Sequence, residues 1–232
     1  MKLDYGAAAM KPRLIRPRPF AFTLLELLVV IAIIFILAAM FLPTRSGRGP
    51  ARRAMCISKQ KQILLGLSIF ANDHKSDFPS MVSVANGGAL EPMAGGDVTI
   101  CYLALTNVVR NSATFICPAD KSRSPVQTGQ SLARTNVSYF VSLDASPTNS
   151  PAYSILTGDR HLEANKKPVA PGLFLLSTNQ VLAWTAELHI ANKQPSGGAF
   201  GFADGHVEWV SPKKLSEVVA RQNMPTNRLA IP

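Results

Sequence analysis

The feature that most constrains this chain is an apolar run close to its N-terminus. From residue 22 to residue 42 the sequence reads FTLLELLVVIAIIFILAAMFL and contains one charged residue, Glu26. As an α-helix, about 21 residues extend roughly 30 Å, the thickness of the hydrocarbon core of a bilayer. The run is longer than the roughly 7 to 15 apolar residues of a secretory signal peptide. We therefore predict that residues 22–42 span a membrane.

The distribution of basic residues favours a membrane segment over a nucleic-acid surface. The formal net charge is +10, but many basic residues are concentrated in residues 2–61, on both sides of the apolar run. Basic flanks are typical of membrane segments, and we predict no nucleic-acid partner. Charge leaves the orientation of the span open, because arginines lie on both sides of it.

A glutamate inside an apolar span needs an explanation. A charged side chain at the bilayer centre costs on the order of 2.5 to 3.5 kcal/mol, and less near an end. Glu26 either lies protonated or snorkelling at the interface, or it has a partner. The surrounding sequence, PFAFTLLELLVVIAII over residues 19–34, resembles the leader junction of type IV prepilins and of type II secretion pseudopilins.

This resemblance implies a processing site and an assembly residue. In that family a prepilin peptidase cuts before a phenylalanine, methylates the new amine and requires a glutamate at the fifth mature position. These roles fall on Phe22 and Glu26. Ala21 precedes the cut, where the family usually has glycine. Pro43 stands where many members have a proline that kinks or ends the first half of the stem helix.

Later segments resemble a large bacterial group of pseudopilin-like proteins. Residues 51–79 are similar to the second half of the stem, and the group's recurring blocks correspond to residues 115–120, 154–160 and 202–208. The last block contains Asp-Gly-His. Relatives often place a histidine about ten residues before Asp-Gly, whereas His189 lies further away.

The cysteines suggest at most one disulfide. Cys56, Cys101 and Cys117 are too few for a disulfide scaffold, and no pair has the close spacing of a zinc knuckle. The topology implied by the resemblance places them in an oxidising compartment. Because related proteins carry cysteines at the positions of Cys56 and Cys117, the resemblance implies a Cys56–Cys117 disulfide. Buried free thiols are the alternative.

Periodicity predicts a second helix after the span. A basic linker at residues 44–50 contains two glycines and a proline that interrupt helix. From about residue 51 to residue 74, apolar residues at helical spacing form one stripe that should cover a sheet, with Leu65 on the opposite face. The stripe consists of Cys56, Ile63, Leu67 and Phe70.

The second half of the chain has the pattern of strands. Residues 136–143, 180–187 and 199–210 are rich in β-branched and aromatic residues. Asp204-Gly205 predicts a hairpin with a type I′ turn, so we interpret both residues as structural. Ser211-Pro212 predicts the start of a last helix, and residues 118–136 and 143–151 read as loops.

No catalytic or metal-binding motif is recognisable. His-Glu-x-x-His, a glycine-rich phosphate loop and a Gly-x-Ser-x-Gly elbow do not occur. Some pseudopilins carry a loop calcium site, but no calcium ligand set stands out here. We predict no enzyme, no metal and no cofactor. The acidic and histidine residues weighed for a metal site are Asp159, His161, Glu187, His189, Asp204 and His206.

Together these features predict an α+β pseudopilin, in which a long N-terminal stem helix packs on an antiparallel sheet. Residues 1–21 would be a cytoplasmic leader, residues 22–75 the stem, and residues 76–232 a periplasmic head. The expected partners are the prepilin peptidase, other pseudopilin subunits, the inner membrane and a secretion platform. The expected function is assembly into a pilus-like filament for type II-type secretion. The alternative is a membrane-tethered periplasmic module that binds a ligand.

Overall fold

Two separate units make up the chain, Met1–Arg45 and Ser46–Pro232. The structure is a computed structural model that describes residues 22–41, 48–148, 150–186, 189–191 and 194–232. In the first unit, helix α1 (Leu24–Phe41) has 18 residues, and the side chains of residues 22–39 are exposed. None of the helices built from the described residues combines the length and apolarity needed to cross a membrane. The span at residues 22–42 stays a prediction.

Helix α2 (Arg48–Asp73) opens the second unit. It begins earlier than predicted, so the interpretation of residues 48–50 as linker is wrong. Pro50 lies in the first turn, where its missing N–H has no intrahelical partner and a proline is tolerated. The remainder of the predicted linker, and Pro43 before it, lie outside the described residues.

The predicted apolar stripe of α2 is confirmed. Cys56, Ile63 and Leu67 are fully buried and Phe70 is nearly so, whereas Leu65 is 61% exposed. The stripe packs on one face of a sheet, and the buried Gln60 side chain donates to a backbone carbonyl of that sheet, Ala199 O, at 2.9 Å.

The main sheet has six strands in the order β10-β9-β2-β1-β11-β5, and neighbouring strands are antiparallel. A smaller sheet has the order β4-β3-β6, and β7 pairs with β8. The strands are β1 (Tyr139–Ser142), β2 (Ile155–Asp159), β3 (Leu162–Ala164), β4 (Lys167–Pro168), β5 (Gly172–Ser177), β6 (Leu182–Trp184), β7 (Ile190–Ala191), β8 (Gln194–Pro195), β9 (Gly198–Phe202), β10 (Val207–Val210) and β11 (Thr226–Ile231).

Alternation along the strands separates two apolar clusters, one on each face of the main sheet. In β1, Tyr139 and Val141 belong to the cluster under α2, which also receives side chains of α3 (Leu90–Ala94) and α4 (Thr99–Ala104). Phe140 points to the other cluster, which α5 (Leu215–Arg221) and the smaller sheet complete. Period-two alternation produces this two-sided burial. The α+β, pilin-like class is therefore confirmed.

Close packing of α2 depends on a glycine in β9. A Cβ at Gly201 would lie 2.8 Å from Thr157 Cγ2 and 2.9 Å from Leu64 Cδ1. Real Cβ atoms do not approach other heavy atoms so closely, because cores are packed to the density of organic crystals. The missing side chain therefore lets the helix lie directly on the strand.

Candidate functional site

The start of α1 carries a reciprocal capping arrangement. Thr23 precedes the helix, and its backbone N–H and its hydroxyl donate to Glu26 Oε2 at 2.8 and 2.9 Å. In return the Glu26 N–H donates to Thr23 Oγ1 at 3.2 Å. This is a capping box, which satisfies backbone donors that the first helical turn leaves open. The T-x-x-E signature at residues 23–26 is the sequence signal for this box, and it was not among the predicted features.

The predicted processing residues flank this cap. Ala21 lies outside the described residues, and Phe22 is exposed directly before Thr23. Both capping bonds use Glu26 Oε2, and Oε1 accepts no hydrogen bond from the residues described here. Cleavage between Ala21 and Phe22 and an assembly role for Glu26 stay predictions.

A second group of reactive side chains lies inside the second unit, Ser46–Pro232, which is called the head from here on. Four donor atoms come within 4.8 Å of one another, and all four side chains are buried. We call them the Cys-Asp-His cluster. They come from four separate segments, namely α2, the loop after the 3₁₀ turn Ser112–Phe115, the end of β2 and the residue before β7: Cys56, Cys117, Asp159 and His189.

The distances within the cluster are short. Cys56 Sγ lies 3.7 Å from Cys117 Sγ and 3.5 Å from Asp159 Oδ1. His189 Nε2 lies 3.2 Å from Cys117 Sγ and 3.7 Å from Asp159 Oδ2. Both cysteines are free thiols. The structure therefore brings the two cysteines of the predicted disulfide together without joining them, and the disulfide stays a prediction.

Burial disfavours charge in this cluster. It raises the pKa of the Asp159 carboxyl to about 7, although a backbone N–H and the two thiols donate to it. Burial also lowers the pKa of His189 to about 4, and nearby positive charge acts in the same direction. A hydrogen bond with Cys117, together with burial, raises the pKa of the Cys56 thiol. Without a cation, each of these groups is driven toward its neutral form.

The surrounding backbone and side chains hold the cluster in place. The Ala199 N–H in β9 donates to Asp159 Oδ2 at 2.8 Å, and the Tyr139 hydroxyl lies 3.7 Å from Cys56 Sγ. His189 has a left-handed backbone with φ of 47°, which is costly for a residue other than glycine. The N–H and the hydroxyl of Ser196 both donate to its carbonyl and so support this conformation.

A cleft of about 690 Å³ lies beside the cluster. His189 lines it together with basic and aromatic side chains, and the Trp209 ring packs edge-on against the His189 ring with centroids 4.8 Å apart. The Arg53 guanidinium lies over the same indole at 4.7 Å. One edge of the buried cluster therefore faces an open, basic cleft.

The Asp-Gly-His block forms the turn between β9 and β10. Asp204 and Gly205 both lie in it, and the Gly205 N–H donates to Phe202 O at 3.0 Å. Within this fully described turn, Gly205 alone has a left-handed φ, 89°. The turn is therefore not the predicted type I′ turn, which needs positive φ at both central residues. The Asp204 carboxylate caps the turn by accepting from the His206 N–H at 3.0 Å.

Two members of the cluster, Asp159 and His189, were considered as metal ligands in the sequence, but no sequence pattern connected them with the cysteines. Asp159 and His189 belonged to the acidic and histidine set, whereas the structure places Asp204 with His206 in the hairpin turn. His161 lines the cleft, and Glu187 lies outside the described residues. The sequence signal that points to the cluster is the apolar stripe of α2, because it contains Cys56. A cysteine on this stripe must face side chains of the sheet.

Comparison with known families identifies the N-terminal segment. Residues 17–42 match the family model described as the prokaryotic N-terminal methylation motif. The chain thus carries the motif of prepilin-type precursors, which supports a membrane-anchored, type IV pilin-like protein that a prepilin peptidase processes. No curated protein and no solved structure matches the chain.

Proposed function

We propose that the chain is a pseudopilin, a structural subunit of a pilus-like filament in a type II-type secretion system. The observation that carries the proposal is the methylation motif at residues 17–42, with Glu26 in the first turn of α1. Residues 22–42 would hold the precursor in the inner membrane, with residues 1–21 cytoplasmic and the head periplasmic. The prepilin peptidase would cut between Ala21 and Phe22.

Assembly follows from the surface of α1. Its large apolar side chains are exposed, for example Leu24 at 81% and Phe35 at 75%. Surface of this kind is buried either by lipid or by neighbouring helices of the same kind. Extraction of subunits from the membrane would bundle the α1 helices at the centre of a filament, with the heads outside. Other pseudopilin subunits and the secretion platform are then its partners, and the chain has no catalytic role.

Glu26 would set the register between neighbouring subunits. After cleavage, the methylated amine of Phe22 still carries positive charge, and Glu26 Oε1 is open to a donor from outside. Inside a helical bundle an unpaired carboxylate is costly, whereas a paired one is tolerated. The partner that fits is the Phe22 amine of the next subunit.

Filament counting by electron microscopy tests this role. Glu26→Ala should abolish filaments and leave the thermal unfolding of the head unchanged, and Glu26→Asp, with its shorter reach, should be intermediate. Glu26→Gln is the sharpest variant, because glutamine retains the capping box but removes the charge. We expect it to fail like Glu26→Ala. Wild-type filament yield from Glu26→Gln would contradict the charge-pairing role.

A ligand-binding module tethered to the membrane is the second candidate. The observation that favours it is the cleft of about 690 Å³, whose lining includes Arg52, Arg53, Lys121 and Trp209. A basic and aromatic cleft suits a polysaccharide or an anionic ligand. In this alternative α1 is only an anchor, the leader stays in place and Met1 remains the first residue.

A further inference from the structure

We propose that the Cys-Asp-His cluster binds one zinc ion in a tetrahedral site. Its ligands would be two thiolates, one carboxylate and one neutral imidazole: Cys56, Cys117, Asp159 and His189. The inference stands independently of the proposed filament function, because it rests only on the interior of the head.

The distances fit such a site. Zn–S bonds of about 2.3 Å and Zn–N or Zn–O bonds of about 2.0 to 2.2 Å, at tetrahedral angles, place neighbouring donor atoms roughly 3.3 to 3.8 Å apart. The two sulfurs are 3.7 Å apart, and Cys56 Sγ lies 3.6 Å from Asp159 Oδ2. The imidazole Nε2 lies 3.2 Å from the Cys117 sulfur and 3.7 Å from Asp159 Oδ2. Small side-chain adjustments would close the site around one ion.

The donor set selects the metal. Two thiolates with an imidazole and a carboxylate suit zinc, whereas calcium and magnesium require oxygen ligands. On binding, the two thiols release their protons to solvent, and His189 binds through Nε2 with its proton on Nδ1. The proton of a neutral Asp159 carboxyl is also released to solvent. The ion supplies a positive charge to the Asp159 carboxylate, since no lysine or arginine of the described residues forms an ion pair with it.

Groups outside the ligands support the same interpretation. Metal-bound carboxylates are usually held by a further hydrogen bond, and the Ala199 N–H donates to Asp159 Oδ2 at 2.8 Å. The Lys59 ammonium donates to Ala113 O and Ile116 O at 2.6 and 2.8 Å, which places positive charge beside Cys117. His189 also lines the cleft, so the cluster has an entry path.

A disulfide would use the same two sulfurs, so the two proposals exclude each other. A Cys56–Cys117 disulfide would explain why the two sulfurs lie close together, but it would not explain why Asp159 and His189 are buried beside them. It would remove the thiol donors from the buried Asp159 carboxyl, and His189 would keep its strained backbone without a function. A zinc ion uses all four groups, and it connects helix α2 to three other segments of the head.

Metal analysis of the full-length chain tests the site. We would purify it in detergent through a tag without histidine, measure bound metal by mass spectrometry, and then titrate the metal-free protein with Zn²⁺. We expect one zinc per chain. Replacement by Co²⁺ should give the visible bands of tetrahedral cobalt and also thiolate-to-cobalt charge-transfer bands. A carboxylate and imidazole site without sulfur would not produce the charge-transfer bands.

Single variants assign the ligands. Asp159→Asn, His189→Gln and Cys117→Ser should each weaken Zn²⁺ binding by more than roughly 100-fold, above the loss typical of a supporting residue outside the ligands. Cys101→Ala is the matched control, because Cys101 is fully buried on α4 outside the cluster. It should retain one zinc per chain with unchanged affinity.

Where a variant fails to fold, a measurement on the wild-type chain still tests the site. Zn²⁺ should protect Cys56 and Cys117 from alkylation, and a chelator should expose both while lowering the unfolding temperature, because a ligand of the native state stabilises it. Three results would overturn the proposal: a Cys56–Cys117 disulfide in peptide maps of the chain from native membranes, no zinc bound by the reduced chain, or full zinc content in His189→Gln.

Discussion

The two helices α1 and α2 follow each other in the chain but differ in whether their apolar side chains are buried. Leu28 in α1 is 53% exposed, whereas Leu67 in α2 is fully buried. Helix α2 has one apolar stripe, and the sheet of its own chain covers that stripe. Apart from Glu26, helix α1 is apolar on all sides, and its large apolar side chains are exposed. An amphipathic helix therefore builds the head, and a uniformly apolar one requires lipid or other subunits.

The largest effect that separates the two helices is on the stability of the head. Leu67→Ala should lower its free energy of unfolding by about 2 to 5 kcal/mol, because a buried leucine loses its transfer free energy and leaves a cavity. Leu28→Ala in α1 should change it by less than about 0.5 kcal/mol. Urea unfolding of the full chain in detergent, followed by tryptophan fluorescence, measures both.

Leu65→Ala is the control within α2, since this leucine lies on the exposed face at 61%. It makes the same substitution in the same helix, so propensity effects cancel. A loss for Leu65→Ala or Leu28→Ala as large as that for Leu67→Ala would break the contrast between the two helices.

A smaller effect concerns Asp120, a carboxylate that the head pairs with Arg160 at 2.9 Å. Burial opposes ionisation of Asp120, but hydrogen bonds from Arg160, Ser122 and Ser138 outweigh it and lower its pKa to about 2. Because the folded pKa lies below the unfolded value of about 3.9, the carboxylate stabilises the head above about pH 4. That contribution, about 2 kcal/mol, is lost as the pH falls from about 4 to 2.

Measurement of the free energy of unfolding as the pH is lowered tests this contribution of Asp120. Asp120→Asn should be destabilised at neutral pH and should lose less stability than the wild type between about pH 4 and 2. Asp73→Asn, at the exposed end of α2, should keep the wild-type profile. An acid profile of Asp120→Asn identical to that of the wild type would refute the pairing.

The smallest effect sharpens the contrast at the start of α1. Thr23→Val keeps the side-chain shape but removes the hydroxyl of the capping box, a change worth about 1 kcal/mol. Amide exchange at Glu26 should accelerate about fivefold, while filament yield stays near wild type because the Glu26 charge remains. Loss of filaments in Thr23→Val would mean that Glu26 acts through the cap.

Local patterns predicted much of this fold. The stripe on α2 is helical in period. Residues 136–143 and 199–210 contain β1, β10 and all of β9 except Gly198, because alternation and turn residues mark these strands clearly. Within residues 180–186, the described part of the predicted strand 180–187, the structure has the short strand β6, which lies in the smaller sheet. The strand predictions did not include β2, β5 or β11, although all three lie in the main sheet. In β11 the residues TNRLAI include three polar or charged side chains and no aromatic one, so the enrichment that marks the predicted strands is weak there.

The Cys-Asp-His cluster could not be predicted in the same way. Consecutive members lie 61, 42 and 30 positions apart along the chain, so no local spacing connects them. Tertiary structure brings them together, because α2 lies across the ends of β2 and β9 and the β7–β8 hairpin returns to the same place. Long-range pairing of this kind leaves no trace in a pattern of neighbouring residues.

The N-terminal residue of the mature chain tests the central claim most directly. Intact mass and N-terminal sequencing of the protein, purified from the membranes of cells that contain a prepilin peptidase, should show a chain that begins at Phe22 with a methylated amine. The same protein from cells without the peptidase should keep residues 1–21. A chain that still begins at Met1 in the presence of the peptidase would contradict the account and favour a tethered binding module.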